Sequence, residues 1–138
     1  MILLDTNVVI DALDPGSPYH AWANKHIVNA LSGEGAAVNA VTVAELCAGD
    51  RNPKHVESDL RRWGVQVLDV PAAAATICSR AYRRYALARR ASGGGAAPKT
   101  PLPDFFIGAH AEMEGWKLVT RDTERISRYF PSAMLLTP

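Results

Sequence analysis

Cysteine is scarce in this 138-residue chain: Cys47 and Cys78 are the only two. Each sits in an apolar helical pattern with no second Cys or His at ligand spacing. That argues against a disulfide framework or a zinc site and leaves two buried free thiols in a reducing compartment. An excess of either charge is also missing, since 15 Lys and Arg stand against 14 Asp and Glu for a formal net charge of +1. Such a balance excludes general coating of nucleic acid and adhesion to membranes, so any basic surface has to be local. No stretch is long and apolar enough to span a bilayer. The N-terminus has neither a basic flank nor a signal-length apolar run, and a cytoplasmic location is expected. The chain has no internal repeat, no Gly-rich phosphate loop, and no Ser/His/Asp or Cys/His set. What remains, at 48% hydrophobic and 21% charged residues, is an ordinary globular composition, read as one domain over residues 1–138.

The chain is organised around its first residues. Ile2, Leu3 and Leu4 form a short apolar run that suits a strand buried on both faces of a parallel sheet, and the run stops at Asp5. Ligands bind at the carboxyl ends of strands in open α/β sheets. Thr6 and Asn7 are available to cap the helix that follows, so Asp5 is not needed for that. A turn at Asp14 to Pro18 lies beside this edge as a connector or a lip over it. An amphipathic helix is expected over 19–32, with His20 and His26 as surface or packing residues. A second strand is expected over 36–41. Thr42 then reads as an N-cap with Glu45 as its capping-box partner, which competes with a site role for Glu45. A helix over 54–64, a strand over 65–70 and a long helix over 72–91 follow. Asp69 reads as a turn residue. The long helix carries Arg80, Arg83, Arg84 and Arg90 opposite its apolar stripe, either a solvated face or one available to phosphates. After a connector over 92–103, a helix opens at Asp104, which could be its N-cap. Gly115 ends it. A fourth strand runs to Thr120 and is followed by Arg121-Asp122, a short helix over 123–129, and a last strand over 133–136.

Alternating strands and helices predict an α/β fold with a mainly parallel sheet. Asp5 and Asp122 end strands, whereas Glu45 and Asp104 open helices, so all four acids face one edge. Carboxylates brought together repel one another and resist ionising unless a cation joins them. An oxygen-only set suits Mg²⁺ or Mn²⁺, and such a site points to metal-assisted hydrolysis of a phosphodiester.

At these residues the chain resembles the PIN-domain ribonucleases, and within them the VapC toxins of toxin–antitoxin pairs. The matching stretches are Leu4-Asp5-Thr6-Asn7, Ala44-Glu45-Leu46 with Gly49, Asp104-Phe105-Phe106-Ile107-Gly108-Ala109-His110-Ala111, and Thr120-Arg121-Asp122. The resemblance implies a three-layer α/β/α sandwich around a five-stranded sheet. It implies Mg²⁺ or Mn²⁺ held by Asp5, Glu45, Asp104 and Asp122, with Thr6, Asn7 and Thr120 in support. It also implies a cognate antitoxin protein as partner, and a homodimer. Two departures stand out. Many relatives carry another acidic or polar residue one turn past the last motif acid, where this chain has Glu124-Arg125. Position 108 is glycine where alanine is common.

The expected activity is endoribonucleolytic. Asp5, Asp104 and Asp122 would hold the ion and Glu45 would orient the attacking water, leaving 5′-phosphate ends. Arg121, Lys99 and Arg51 are the candidate RNA contacts by sequence. Leu87 or the stretch around Trp22 is the candidate seat for a helical partner segment. The rival readings are a housekeeping RNA-processing nuclease, a metal-dependent phosphatase or phospho-acceptor, and a silent protein-binding module. Asn7 stands where a dehalogenase-type phosphatase needs a second Asp, which counts against the phosphatase.

Overall fold

The computed structural model describes residues 1–98 and 101–138. Five strands form one sheet: β1 (Ile2–Leu4), β2 (Ala36–Asn39), β3 (Gln66–Leu68), β4 (Lys117–Val119) and β5 (Met134–Leu136). Their order is β3-β2-β1-β4-β5, and every pairing is parallel. The chain winds outward from β1 through β2 to β3, then crosses back to β4 and β5, so the topological switch lies beside β1, as expected.

Strand alternation divides the core. Leu3, Ala37 and Leu118 join one cluster with Ala74, Cys78 and Ala81 of α5 (Ala74–Ala91), Phe105 and Ile107 of α6 (Leu102–Glu114), and Ile126 of α7 (Thr123–Tyr129). Their neighbours Ile2, Leu4, Ala36, Val38 and Val119 turn the other way. These pack with Val8 and Val9 of α1 (Thr6–Leu13), Ala23 and Ala30 of α2 (His20–Ser32), and Leu60 of α4 (Val56–Arg62). The period of two along each strand thus produces helices on both faces of the sheet. Both cysteines are free, Cys78 buried and Cys47 half-buried. Among the described residues, no helix is long and apolar enough to cross a membrane.

Three local readings need correction. The second strand ends at Asn39, and α3 (Ala40–Gly49) begins at once. Asn39, not Thr42, is its N-cap, because the Asn39 carboxamide oxygen accepts from the backbone N–H groups of Val41 and Thr42 at 3.0 and 3.2 Å. Asparagine caps at least as well as threonine, and it comes first. Glu45 therefore lies in the second turn and has no capping duty. Likewise α6 starts at Leu102, with Pro101 at the cap position, so Asp104 is a first-turn residue and not the N-cap. Finally, α1 starts at Thr6, so Thr6 and Asn7 are its first two residues and Asp5 holds the cap position.

Gly115 ends α6 in the left-handed conformation, φ 65°, which glycine adopts without a Cβ penalty. Gly108, inside the same helix, lies under the Phe130 ring: a Cβ there would come within 2.8 Å of two ring carbons. Phe130 is itself clamped edge-on by Phe105, with ring centroids 5.5 Å apart. The departure at position 108 is therefore a packing requirement of this chain.

Candidate active site

The carboxyl edge of the sheet gathers polar side chains between buried strands and helix starts. Asp5 follows β1 and is only 6% exposed. Its carboxylate makes no N-capping hydrogen bond to α1. Instead one oxygen accepts from Asn7 Nδ2 and from Thr120 Oγ1, each at 2.6 Å. Burial raises the Asp5 pKa against the pull of these bonds, and the nearby negative Glu45 adds to the rise. Thr120, fully buried at the end of β4, also accepts from the Asp122 N–H at 3.0 Å. Asn7 Oδ1 accepts from the Arg121 N–H at 3.1 Å. Asn7 and Thr120 thus tie the end of β1 to the end of β4 and fix the rotamer of Asp5. Thr6 Oγ1 donates to Glu45 Oε2 and fastens α3 to α1. The three supporting residues expected from sequence all touch one of the acids.

Asp104, on the first turn of α6, is one-third exposed. Burial raises its pKa to about 6. Arg125 opposes the rise, while the charges of Asp5, Glu45 and Asp122 add to it. That the other three acids act on Asp104 places all four in one electrostatic neighbourhood. Asp122 caps α7, its Oδ1 accepting from the Arg125 N–H at 3.3 Å.

Arg125 is the site residue that sequence reasoning passed over. Its Nη2 lies 2.9 Å from Asp104 Oδ2 and also pairs with Asp122 Oδ2. Burial lowers its pKa, but the Asp122 bond and the charges of Asp104, Asp122 and Asp5 outweigh that, so the guanidinium stays protonated. The signal was present in part: position 125 is three residues past an acid on a helix, where side chains meet.

The expected RNA contacts fare differently. Arg121 is already engaged, with Nε 2.7 Å from Asp11 Oδ2 and its guanidinium 4.9 Å from the centroid of the Tyr19 ring. Asp11 is 4% exposed and also accepts from Ser17 Oγ at 2.7 Å. This cluster fastens the 14–19 turn beside the site. Arg51 is exposed just past α3. Lys99 lies outside the described residues. Trp22 packs into the core with its ring against His26, so it offers no free seat, whereas Leu87 is 65% exposed.

The donor chemistry fits a hard divalent ion, because every unengaged ligand is a carboxylate oxygen and negative charge exceeds positive. As the side chains stand, no three acids among the described residues gather closely enough to hold an ion together. Arg125 is the one cation paired with them among those residues.

Comparison with known proteins shows the fold and the family. The chain is similar to FitAcB from Neisseria gonorrhoeae, at 26% identity with TM-score 0.62, covering 100% of this chain and 98% of that one. It is similar to a toxin–antitoxin complex from Klebsiella pneumoniae, at 22% identity with TM-score 0.58 and coverages of 100% and 98%. It also matches VapC20 of Mycobacterium tuberculosis, a sarcin–ricin loop cleaving toxin, at 16% identity with TM-score 0.63 and full coverage of both chains. No curated protein sequence matches. Residues 2–129 match the PIN domain, which takes in all four acids and every strand but β5, and the chain belongs to the PIN domain family.

Proposed function

We propose that this chain is a divalent-metal-dependent endoribonuclease and the toxin of a toxin–antitoxin pair. The observation that carries the reading is the excess of carboxylates at one sheet edge, where burial first and then the charges of Asp5, Glu45 and Asp122 raise Asp104 to about 6 against the pull of Arg125. Asp5, Asp104 and Asp122 would hold Mg²⁺ or Mn²⁺, which when bound supplies charge neutralisation at the phosphate and a more acidic water. Asn7 and Thr120 hold Asp5 in one rotamer, and Thr6 holds Glu45. Glu45, without a capping role, is free to orient a water in line with the scissile bond. Attack by water on phosphorus with cleavage of the P–O3′ bond and protonation of the departing 3′ oxygen would leave 5′-phosphate and 3′-hydroxyl ends.

The partner reading has support of two kinds. One similar structure is a toxin–antitoxin complex, and another is of a toxin that cleaves the sarcin–ricin loop. Beside the acids, a groove of about 470 Å³ between α1, α3 and α4 is lined by Leu13, Leu46 and Trp63. Glu45, Asp14, Asp50 and Asp59 also line it. Apolar floor and acidic lining together suit an amphipathic antitoxin helix with basic flanks, disordered when free. A homodimer is part of the same reading, and sedimentation of the purified chain measures it.

The test is expression of the chain alone and then together with the adjacent upstream gene, with mapping of RNA 5′ ends. Growth arrest alone, rescue by a stable complex, and new 5′-phosphate ends that vanish in Asp5→Asn are expected. Harmless expression of a purified enzyme that cuts RNA at defined sites would replace the toxin by a processing nuclease. Unchanged cleavage in Asp5→Asn would remove the site assignment.

A further inference from the structure

Two of the four acids already have a cation. The Arg125 guanidinium spans from Asp104 on α6 to Asp122 at the cap of α7, with Nη2 2.9 Å from Asp104 Oδ2 and paired with Asp122 Oδ2 as well. Its Nε donates to that same Asp122 oxygen. Arginine suits this position because its planar fork reaches two carboxylates at once, which a lysine ammonium does less well. The contact joins helices that come from separate parts of the chain, so it is more than a local pairing along α7. It also occupies oxygens that metal binding would use, Asp104 Oδ2 and Asp122 Oδ2. A divalent ion drawn to these carboxylates is repelled by the guanidinium charge already on them. Side chain and ion are therefore alternative occupants of the same two ligands. Arg125 is 36% exposed, so it has solvent to move into when it leaves.

We propose that Arg125 is a built-in competitor for the metal: it holds Asp104 and Asp122 in the metal-free protein, and an ion must displace it to bind there. The proposal rests on the metal-dependent reading above. It adds that affinity for the ion is set by this one side chain.

Calorimetric titration with Mn²⁺ alone, without RNA, tests this on the whole chain. Wild type, Arg125→Gln and Arg128→Gln are compared. Arg128 lies on the same helix, with its guanidinium 5.5 Å from the Tyr129 ring centroid, so its removal controls for general loss of positive charge. Arg125→Gln is expected to bind Mn²⁺ at least about tenfold tighter and Arg128→Gln within about twofold of wild type. Melting provides a second readout. Without metal, Arg125→Gln melts below wild type because two acids lose their partner, and saturating Mn²⁺ closes that gap. Arg125→Lys keeps a charge but not the fork, and its affinity falls between those of wild type and Arg125→Gln. It serves if the glutamine variant does not fold. An Arg125→Gln or Arg125→Lys protein that binds Mn²⁺ no tighter than wild type overturns the proposal while leaving the metal reading intact. So does an equal tightening in Arg128→Gln. If no variant and not the wild type binds Mn²⁺, the metal reading itself falls and the proposal with it.

Discussion

At their amino ends, β1, β2 and β4 bring together Met1, Glu34 and Lys117. Glu34 pairs with the Lys117 ammonium and lies 3.9 Å from the terminal amine. The group is exposed, the cations outnumber the acid, and the Lys117 hydrogen bond lowers the Glu34 pKa. At their carboxyl ends the same strands meet Asp5, Glu45, Asp104 and Asp122, with Arg125 the one cation paired with them among the described residues, and there Asp5 and Asp104 are raised. One sheet thus carries acids at both edges with opposite consequences. At the amino edge charge is matched by charge in water, where such pairs contribute little. At the carboxyl edge, partly buried charge is left unmatched, which costs stability and persists where a ligand is to be bound.

The signs follow from linkage. A lowered acid such as Glu34 contributes stability above its ordinary value of 4.5, and this is lost as pH falls through the lower folded value. A raised acid such as Asp104 does the reverse. The folded chain prefers its proton, so its cost is fully present above about 6 and is relieved on acidification toward 3.8. The two edges should respond oppositely to mild acid.

The largest expected difference is in catalysis. Asp5→Asn or Asp122→Asn should lower metal-dependent RNA cleavage at least about a hundredfold with unchanged circular dichroism, whereas Glu34→Gln should leave the rate unaltered. Asn at 122 still caps α7, so loss of fold is not the expected cause. Equal activity in the two classes of variant would erase the contrast. Next is metal linkage: Mn²⁺ at about 100 times its dissociation constant should stabilise wild type by roughly 2.7 kcal/mol. Thermal melts should show that shift retained in Glu34→Gln and largely gone in Asp5→Asn. A cation acting elsewhere would shift all three alike. Third, Mn²⁺ affinity measured from pH 7.5 to 5 should fall below about 6 as Asp104 takes up its proton, by up to about tenfold per pH unit. A flat profile would mean that Asp104 is not a ligand. The smallest effect belongs to Glu34→Gln itself, a slight drop in melting temperature at pH 7 that shrinks as pH falls below 4.5. A drop that grows on acidification would assign Glu34 a role beyond its ion pairs.

Much of the carboxyl edge was legible because strands and acids leave local marks. Apolar runs ending in Asp5 or leading to Asp122 gave the strands, and the alternation of elements placed those ends together. Capping was harder to read where two good caps compete three residues apart: Asn39 and Thr42 both qualify, and the first to appear starts the helix. The cations were read least well. Arg121 looked free because its only acidic neighbours in sequence are Asp122 and Glu124, yet Asp11, buried in an apolar helix from the other end of the chain, takes it. A lone acid among apolar helical residues was itself a sign that a distant cation is required. Arg125 shows the same limit, since its pairing with Asp122 is local and its pairing with Asp104 exists only once α6 and α7 meet.

The hydrogen bond from Thr120 Oγ1 to Asp5 joins residues 115 positions apart, and β4 enters the sheet between β1 and β5. On the ribosome this sets an order of events. Asp5 emerges first and waits for its hydroxyl partner, for β4 beside β1, and for Asp122. At roughly 5–20 residues per second the wait is on the order of ten seconds. Through that time the nascent chain lacks the edge that would bind an ion, so a chain proposed to cut RNA stays harmless to the ribosome making it until Asp122 has emerged and β4 has paired with β1. A partner translated before it would then be present when that edge closes.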